Sequence, residues 1–294
     1  MRLGFQVSIR AKIYEAVDRA KELGAETMQI FSRNPRGWQV LELDRDDTQD
    51  FKNRRKRENI FPLFVHIPYL INIASPDKRL YVKSINAYVE DIMRADLLGA
   101  EFFVTHLGNH MGKGEENGIK RFKDALNIVI AKSNPKLTIL LETTAGSGSS
   151  LGYRFEQIAS IIDRIEHKEK IGVCLDTQHV YAAGYNIVND LNGTIRTFDG
   201  IIGINKLMAI HLNDSKSALG SHVDRHEHIG KGKIGLSAFQ KILNHPKLKH
   251  LPFVMETPKR TAEDDFNNMK IVRKLCKMKP LTSKCVARRH FATK

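Results

Sequence analysis

Eight short apolar runs punctuate the chain, and a longer amphipathic stretch follows each of them. The runs are LGFQVSI (3–9), TMQIFS (27–32), LFVHIP (63–68), FFVTHLG (102–108), LTILLET (137–143), IGVCLDT (171–177), LMAIHLND (207–214) and FVMET (253–257). They are rich in Val, Ile, Phe and Leu, the composition of strands buried on both faces. The stretches between them carry helical periodicity. IYEAVDRAKELG (13–24) ends on Gly24, which suits a helix C-terminus. From Asp77 to Gly99, Tyr81, Ile85, Tyr88, Val89, Ile92 and Leu98 recur at helical spacing. EQIASIIDRIEH (156–167), GLSAFQKILNH (235–245) and DDFNNMKIVRKLCKM (264–278) behave alike, and 45–58, 116–133 and 190–206 are weaker but long enough.

Eight strands, each followed by a helix, predict a parallel α/β protein. The count of eight at this length favours one closed (β/α)8 TIM barrel over a doubly wound sheet. The expected organisation is a single catalytic barrel over 1–278 and a basic C-terminal tail over 279–294. The tail holds five basic residues and no acidic one, which adds non-specific attraction for phosphate.

Composition narrows the setting. The 294 residues are 41% hydrophobic and 27% charged, as in ordinary globular proteins. No apolar run is long enough to cross a bilayer, so no membrane partner is expected. The N-terminus, MRLGFQVSIRAK, lacks a hydrophobic signal core. Cys174, Cys276 and Cys285 are too few and too scattered for a disulfide framework. An intracellular, reducing location is therefore expected: cytoplasmic, at the nucleoid if the source is prokaryotic. The formal charge of +14, from 47 Lys and Arg against 33 Asp and Glu, points to a polyanionic partner, with nucleic acid first.

In such a barrel the chemistry lies at the C-terminal ends of the strands. There the third to eighth runs place His66, His106, Glu142, Asp176, His211 and Glu256. Singly, a strand-end His is usually a hydrogen-bonded polar residue and a Glu a cap or ion-pair partner. Six on one rim are different, because converging carboxylates repel and raise one another's pKa values. Bound cations resolve that conflict, and imidazole and carboxylate donors without cysteine suit Zn2+ or Mn2+. In DTQH, His179 follows Asp176 by three residues and can reach the same mouth from the loop after the strand. In VDRH, Asp224 and His226 share one face of an extended backbone, with Arg225 on the other.

These motifs resemble the endonuclease IV family of apurinic/apyrimidinic (AP) endonucleases, AP endonuclease family 2. The likeness covers about residues 1–275. It is carried by HLNDSKSALGSHVDRH (211–226), GVCLDTQH (172–179), HIPYLINIASP (66–76), VTHLGNH, LLETTAGSGSSLG and VMET. The resemblance implies a barrel with three clustered zinc ions, with Mn2+ an alternative at one of them. His66 and His106 would hold the first. Glu142 would bridge it to the second, held also by Asp176, His211 and Glu256. His179, Asp224 and His226 would hold the third. Catalytic roles are implied for Glu142 and Glu256. The implied reaction is hydrolysis of the phosphodiester 5′ to an abasic site in duplex DNA, in base excision repair, giving a 3′-hydroxyl and a 5′-deoxyribose phosphate.

Arg36 in SRNPRGW, and Tyr69 with Leu70 in HIPYLI, match the family's DNA-inserting residues. Such wedges stabilise unstacked DNA, although Tyr69 and Leu70 also read as core residues after the third strand. Asn34, Lys216 and Arg225 are candidate phosphate or sugar contacts, or else residues of solvated loops. A monomer acting on abasic duplex DNA is expected. GSGSSLG (146–152) lacks the Lys-Ser/Thr ending of a phosphate-binding loop and reads as a flexible loop beside the site. Two departures from the family pattern stand at non-ligand positions. Gln178 occupies the usual place of a Cys, where it bears on support for the third metal, and Lys170 replaces an Arg. Of the clustered histidines, His222 and His228 are not expected to be ligands, and Asp214 is expected to support the ligands or to be structural. The competing reading is a metal-dependent sugar isomerase or epimerase. It shares the barrel but needs neither the third site nor a basic rim.

Overall fold

The computed structural model describes residues 1–261 and 263–276. Eight parallel strands close into a barrel: β1 (Arg2–Gln6), β2 (Thr27–Phe31), β3 (Leu63–His66), β4 (Phe102–Thr105), β5 (Thr138–Glu142), β6 (Ile171–Asp176), β7 (Leu207–His211) and β10 (Pro252–Met255). The order around the barrel is β1-β10-β7-β6-β5-β4-β3-β2, so each strand pairs with its sequence neighbours and β10 closes onto β1. A separate two-stranded antiparallel piece, β8 (Asp214–Ser215) with β9 (His226–Glu227), stands after β7.

Helices clothe the barrel: α1 (Glu15–Glu22), α2 (Arg45–Glu58), α3 (Lys78–Leu97), α4 (Glu115–Ser133), α5 (Phe155–Ile162), α6 (Thr177–Ala182), α7 (Leu191–Ile201), α8 (Gly235–Asn244) and α9 (Asp264–Leu275). Their ends follow local chemistry. The Asp44, Asp77 and Asp190 carboxylates accept from the backbone N–H three residues on, starting α2, α3 and α7. Gly24 takes φ +69° just past α1, a backbone that costs glycine little, and donates to Lys21 O. The strands are as expected, with ends trimmed by one to three residues in most cases. One helix is new: α6, which places His179 in a first helical turn rather than in a loop. Residues 277–294, which include the expected basic tail and Cys285, lie outside the described residues.

Two hydrophobic layers result. The larger fills the space between strands and helices and includes Phe5, Phe51, Phe103, Phe122, Phe155 and Phe239, all buried. Each buried ring of this kind contributes about 1.5–3 kcal/mol. The smaller lies inside the barrel: Phe64, Val104, Leu140, Cys174, Ala209 and Val254, one from each of six strands. Side chains alternate faces along a strand, so the residue two positions later returns to the interior. Those residues are His66, His106, Glu142, Asp176, His211 and Glu256. The same period carries Gly4 and Thr27 to Gln6 and Gln29 on β1 and β2, which pair in register. A Cβ on Gly4 would strike the Thr27 backbone oxygen, so only glycine fits there.

Among the described residues, no helix is long and apolar enough to cross a membrane.

Candidate metal centre

Glu142 sits at the centre of the rim and is fully buried. Its Oε2 lies 3.1 Å from His66 Nε2 and 3.0 Å from His106 Nε2. Its Oε1 lies 2.9 Å from His211 Nδ1 and 3.4 Å from His179 Nδ1. Glu256 Oε2 stands 3.3 Å from the same His211 Nδ1. His179 Nε2 faces Asp224 Oδ2 at 3.3 Å, and His226 Nε2 faces Asp224 Oδ1 at 3.6 Å and Asp176 Oδ2 at 3.7 Å.

Three groups of donor atoms converge closely enough to share a cation. They are His66, His106 and Glu142; Glu142, Asp176, His211 and Glu256; and Asp176, His179 and His226. The first two match the sets expected from the sequence. The third differs in bringing Asp176 beside His179 and His226, with Asp224 facing both imidazoles from the cleft side.

The hydrogen bonds around the imidazoles decide what these atoms can do. His66 Nδ1 donates to Ile67 O (2.8 Å), His179 Nδ1 to Thr143 O (2.8 Å) and His226 Nδ1 to Glu256 O (3.1 Å). In its neutral form each ring would therefore turn an unprotonated nitrogen toward a carboxylate, lone pair against lone pair. His226 Nε2 is buried and has no hydrogen-bond partner among the described residues. An arrangement of acceptors facing acceptors is repulsive until a cation or a proton stands between them. Fixing the far ring nitrogen on a carbonyl is how proteins orient metal-binding imidazoles.

Without a metal, protons fill that role at His179 and His211. Burial opposes charge on His179 and His211. Asp176 and Asp224 beside the first, and Cys174, Glu256 and Glu142 beside the second, nonetheless raise both pKa values well above the ordinary range. Burial alone would push Glu142 up, but His106 and His211 hold it well below the usual carboxylate range. Glu256, half-buried, is held low chiefly by His211, and Asp224 chiefly by His179.

Supporting groups fix these positions. The Asp176 carboxylate caps α6 by accepting from His179 N (2.9 Å) and accepts from Asn213 Nδ2 (2.6 Å). Asn213 Oδ1 in turn accepts from Glu256 N (2.8 Å). Gln178 is buried and donates to Val223 O (3.0 Å), the carbonyl next to Asp224. Asp214 accepts from the backbone N–H of Ser215, Gly230, Gly232 and Ile234 at 2.7–3.1 Å, folding the segment after β9 back beneath β8. His222 Nδ1 donates to Ala145 O (2.9 Å), and buried His228 packs on Asn268 (3.1 Å). Neither joins the donor groups. The GSGSSLG segment is tied down on both flanks, with Leu151 N donating to Gly108 O (2.9 Å) and Ser147 Oγ to His222 O (2.8 Å).

The centre opens into a cleft of about 290 Å³ lined by His66, His106, His179, Asp224, His226 and Tyr69. Tyr69 is 64% exposed and stands edge-on to Phe31, so it belongs to the mouth and not to the core; Leu70 is half-buried. Asn34 and Arg36 are exposed on the β2–α2 loop, where Asn34 Oδ1 accepts from Arg36 N (3.0 Å). Below that loop Arg33 makes a buried two-pronged pair with Asp91 (2.8 and 2.9 Å), and Arg94 donates to Ser32 O and Leu41 O. Lys216 and Arg225 are exposed and paired across the β8–β9 piece, Lys216 N to Arg225 O (3.0 Å). Sequence reasoning missed Gln6, Gln29, Thr143 and Asn213. The first two were visible as the period-two continuation of β1 and β2.

Comparison with known proteins places the chain. A family model described as xylose isomerase-like TIM barrel matches residues 17–278. The chain is 44% identical over 266 residues to a probable endonuclease 4 of Halothermothrix orenii, covering 90% of this chain and 96% of that one. It is 43% identical over 280 residues to a probable endonuclease 4 of Methanosphaerula palustris, covering 94% and 98%. The crystal structure of endonuclease IV from Thermus thermophilus superposes with a TM-score of 0.85 at 33% identity, over 94% of this chain and 98% of that one. A closed parallel barrel, a donor-rich rim and full-length likeness at this identity lead to one conclusion: the chain belongs to the endonuclease IV family.

Proposed function

We propose that this chain is a zinc-dependent endonuclease of base excision repair, acting as a monomer. It hydrolyses the phosphodiester 5′ to an abasic site in duplex DNA, leaving a 3′-hydroxyl and a 5′-deoxyribose phosphate. The observation that carries the metal-dependent part is the set of imidazole lone pairs aimed at carboxylates, with His226 Nε2 buried and unpartnered. The donors are nitrogen and oxygen only, which suits Zn2+, with Mn2+ an alternative at one position.

Three ions fit the residues present. His66, His106 and Glu142 would hold one. Glu142, Asp176, His211 and Glu256 would hold the second. His179, Asp224 and His226 would hold the third, with Asp176 close by. When bound, such ions neutralise phosphate charge and lower the pKa of a water nucleophile.

The chain's own residues do the rest. Glu142 turns one carboxylate oxygen to each of two donor sets and so fixes their spacing. Glu256, kept ionised by His211, holds the far side of the same centre. Tyr69 stands at the mouth, with half-buried Leu70 next to it in the chain and Arg36 on the adjoining loop; together they fill the gap left by a missing base and hold the flipped nucleotide. Asn34, Lys216 and Arg225 bind sugar and phosphate around it. The net charge of +14 supplies long-range attraction that weakens with salt.

The test is incubation with a duplex carrying one abasic analogue, with and without chelator, followed by analysis of the ends. One incision with a 3′-hydroxyl, lost on chelation and restored by zinc, is expected. A chain that takes up one ion and leaves abasic duplex uncut would favour a sugar epimerase instead.

A further inference from the structure

Six of the eight strands bring an expected ligand to the rim. The other two bring amides, Gln6 on β1 and Gln29 on β2. Gln29 is fully buried. Its Nε2 donates to Gln6 Oε1 at 2.9 Å and to Glu256 Oε1 at 2.5 Å, while its Oε1 lies 2.9 Å from His211 Nε2. An amide nitrogen only donates and an amide oxygen only accepts. The Glu256 carboxylate is an acceptor, so the amide can be turned only one way. Its oxygen faces His211, and His211 must carry a proton on Nε2 to meet it. In the neutral ring, which a metal requires, that leaves Nδ1 as the nitrogen with a free lone pair. Nδ1 is the atom that faces Glu142 at 2.9 Å and Glu256 at 3.3 Å.

We infer that Gln29 is a positioning residue of the second metal site, one amide fixing both the tautomer of His211 and the rotation of the Glu256 carboxylate. The inference rests on the metal reading above. His211 differs here from its neighbours. His66, His179 and His226 pass their far proton to backbone carbonyls, which no substitution removes. His211 passes it to a side chain. Of these four imidazoles, His211 is therefore the one whose far proton can be deprived of its acceptor by a side-chain substitution.

Gln29→Met keeps the volume and removes both polar ends. Folded Gln29→Met is expected to bind zinc about 10–100-fold more weakly in competition with a chromophoric chelator. Its cobalt(II) absorption spectrum should also change. Gln29→Glu keeps an acceptor for His211 but turns a second carboxylate toward Glu256. It should weaken zinc while retaining the His211 proton. That proton is read directly in the metal-free protein, as a solvent-protected imidazole Nε2–H in long-range ¹H–¹⁵N spectra. It should be hydrogen-bonded and protected in wild type and in Gln29→Glu; in Gln29→Met it loses its acceptor, so its ¹H resonance should shift and its protection from solvent exchange should fall. A folded Gln29→Met chain with wild-type zinc affinity and cobalt spectrum overturns the inference, as does a wild-type His211 without a protected Nε2–H. If Gln29→Met does not fold, Gln29→Glu decides: unchanged zinc affinity there overturns it equally. A wild-type chain that holds the proton yet takes up no zinc overturns the metal reading instead.

Discussion

Two rings of side chains inside one barrel lie two residues apart on the same six strands, and their chemistry is opposite. Phe64, Val104, Leu140, Cys174, Ala209 and Val254 pack a dry floor. His66, His106, Glu142, Asp176, His211 and Glu256 follow them directly, crowding acids and imidazoles at the mouth. The floor stabilises the fold by removing apolar surface from water. The mouth does the reverse, since buried carboxylates facing lone pairs are stable only with cations or protons between them. Backbone geometry is shared by both rings. The contrast teaches that the fold supplies placement alone and that function is written in what the placed residues are.

The sharpest break between the rings is expected from Glu142→Gln. Turnover on abasic duplex should fall by about 10²–10³-fold or more, with duplex binding largely retained. Single-turnover cleavage and a binding titration check it; wild-type turnover would sink the role given to this residue. Leu140→Ala, two residues away, should do the opposite. It should cost about 2–5 kcal/mol of unfolding free energy while the folded fraction still cuts. Denaturant melts beside activity per folded molecule would show whether the rings divide stability from chemistry in this way.

Smaller in size is Tyr69→Ala at the edge of the mouth. Preference for abasic over intact duplex should drop about tenfold, roughly 1.4 kcal/mol, with zinc content unchanged. An unaltered preference would reject the wedge role.

The last prediction concerns pH. The folded-state pKa values of His179 and His211 are raised well above 6.5. Their contribution to metal-free stability is thus complete below about pH 6.5 and lost as pH rises through the raised values. The metal-free protein should melt at lower temperature as pH is raised above neutrality. Zinc requires the neutral rings, so zinc binding should release protons and strengthen over the same interval. Melting curves and calorimetry in buffers of different ionisation enthalpy read both trends. Parallel trends, or no proton release, would contradict this account of the mouth.

The six strand-end residues were legible because period two and short apolar runs are local properties. The same rule reached Gln6 and Gln29, but an amide carries no metal signal and both passed unread. α6 escaped because six residues are too few to show helical periodicity; Asp176 as a cap was its one trace. The third donor group was only half legible. Asp224 and His226 reach the rim on the β8–β9 piece, which is braced where the Asp214 carboxylate gathers backbone N–H groups from Gly230 to Ile234. No local pattern announces that fold-back. Nor does spacing reveal that Asp176 comes as close to His226 as it does, because that depends on where the β8–β9 piece sets His226 against the end of β6. Tyr69 could be read as core or mouth from its sequence, and only its exposure separates the two.

The bonds that join His222 to Ala145 and Ser147 cross between loops that follow different strands. In mechanical terms they rivet the segment after β5 to the segment carrying Asp224 and Arg225. Displacing one loop would then strain the other through these bonds. A helix of DNA leaning on Arg225 would press on Ser147 and Ala145 as well, so load arriving at one edge of the mouth is felt at the other.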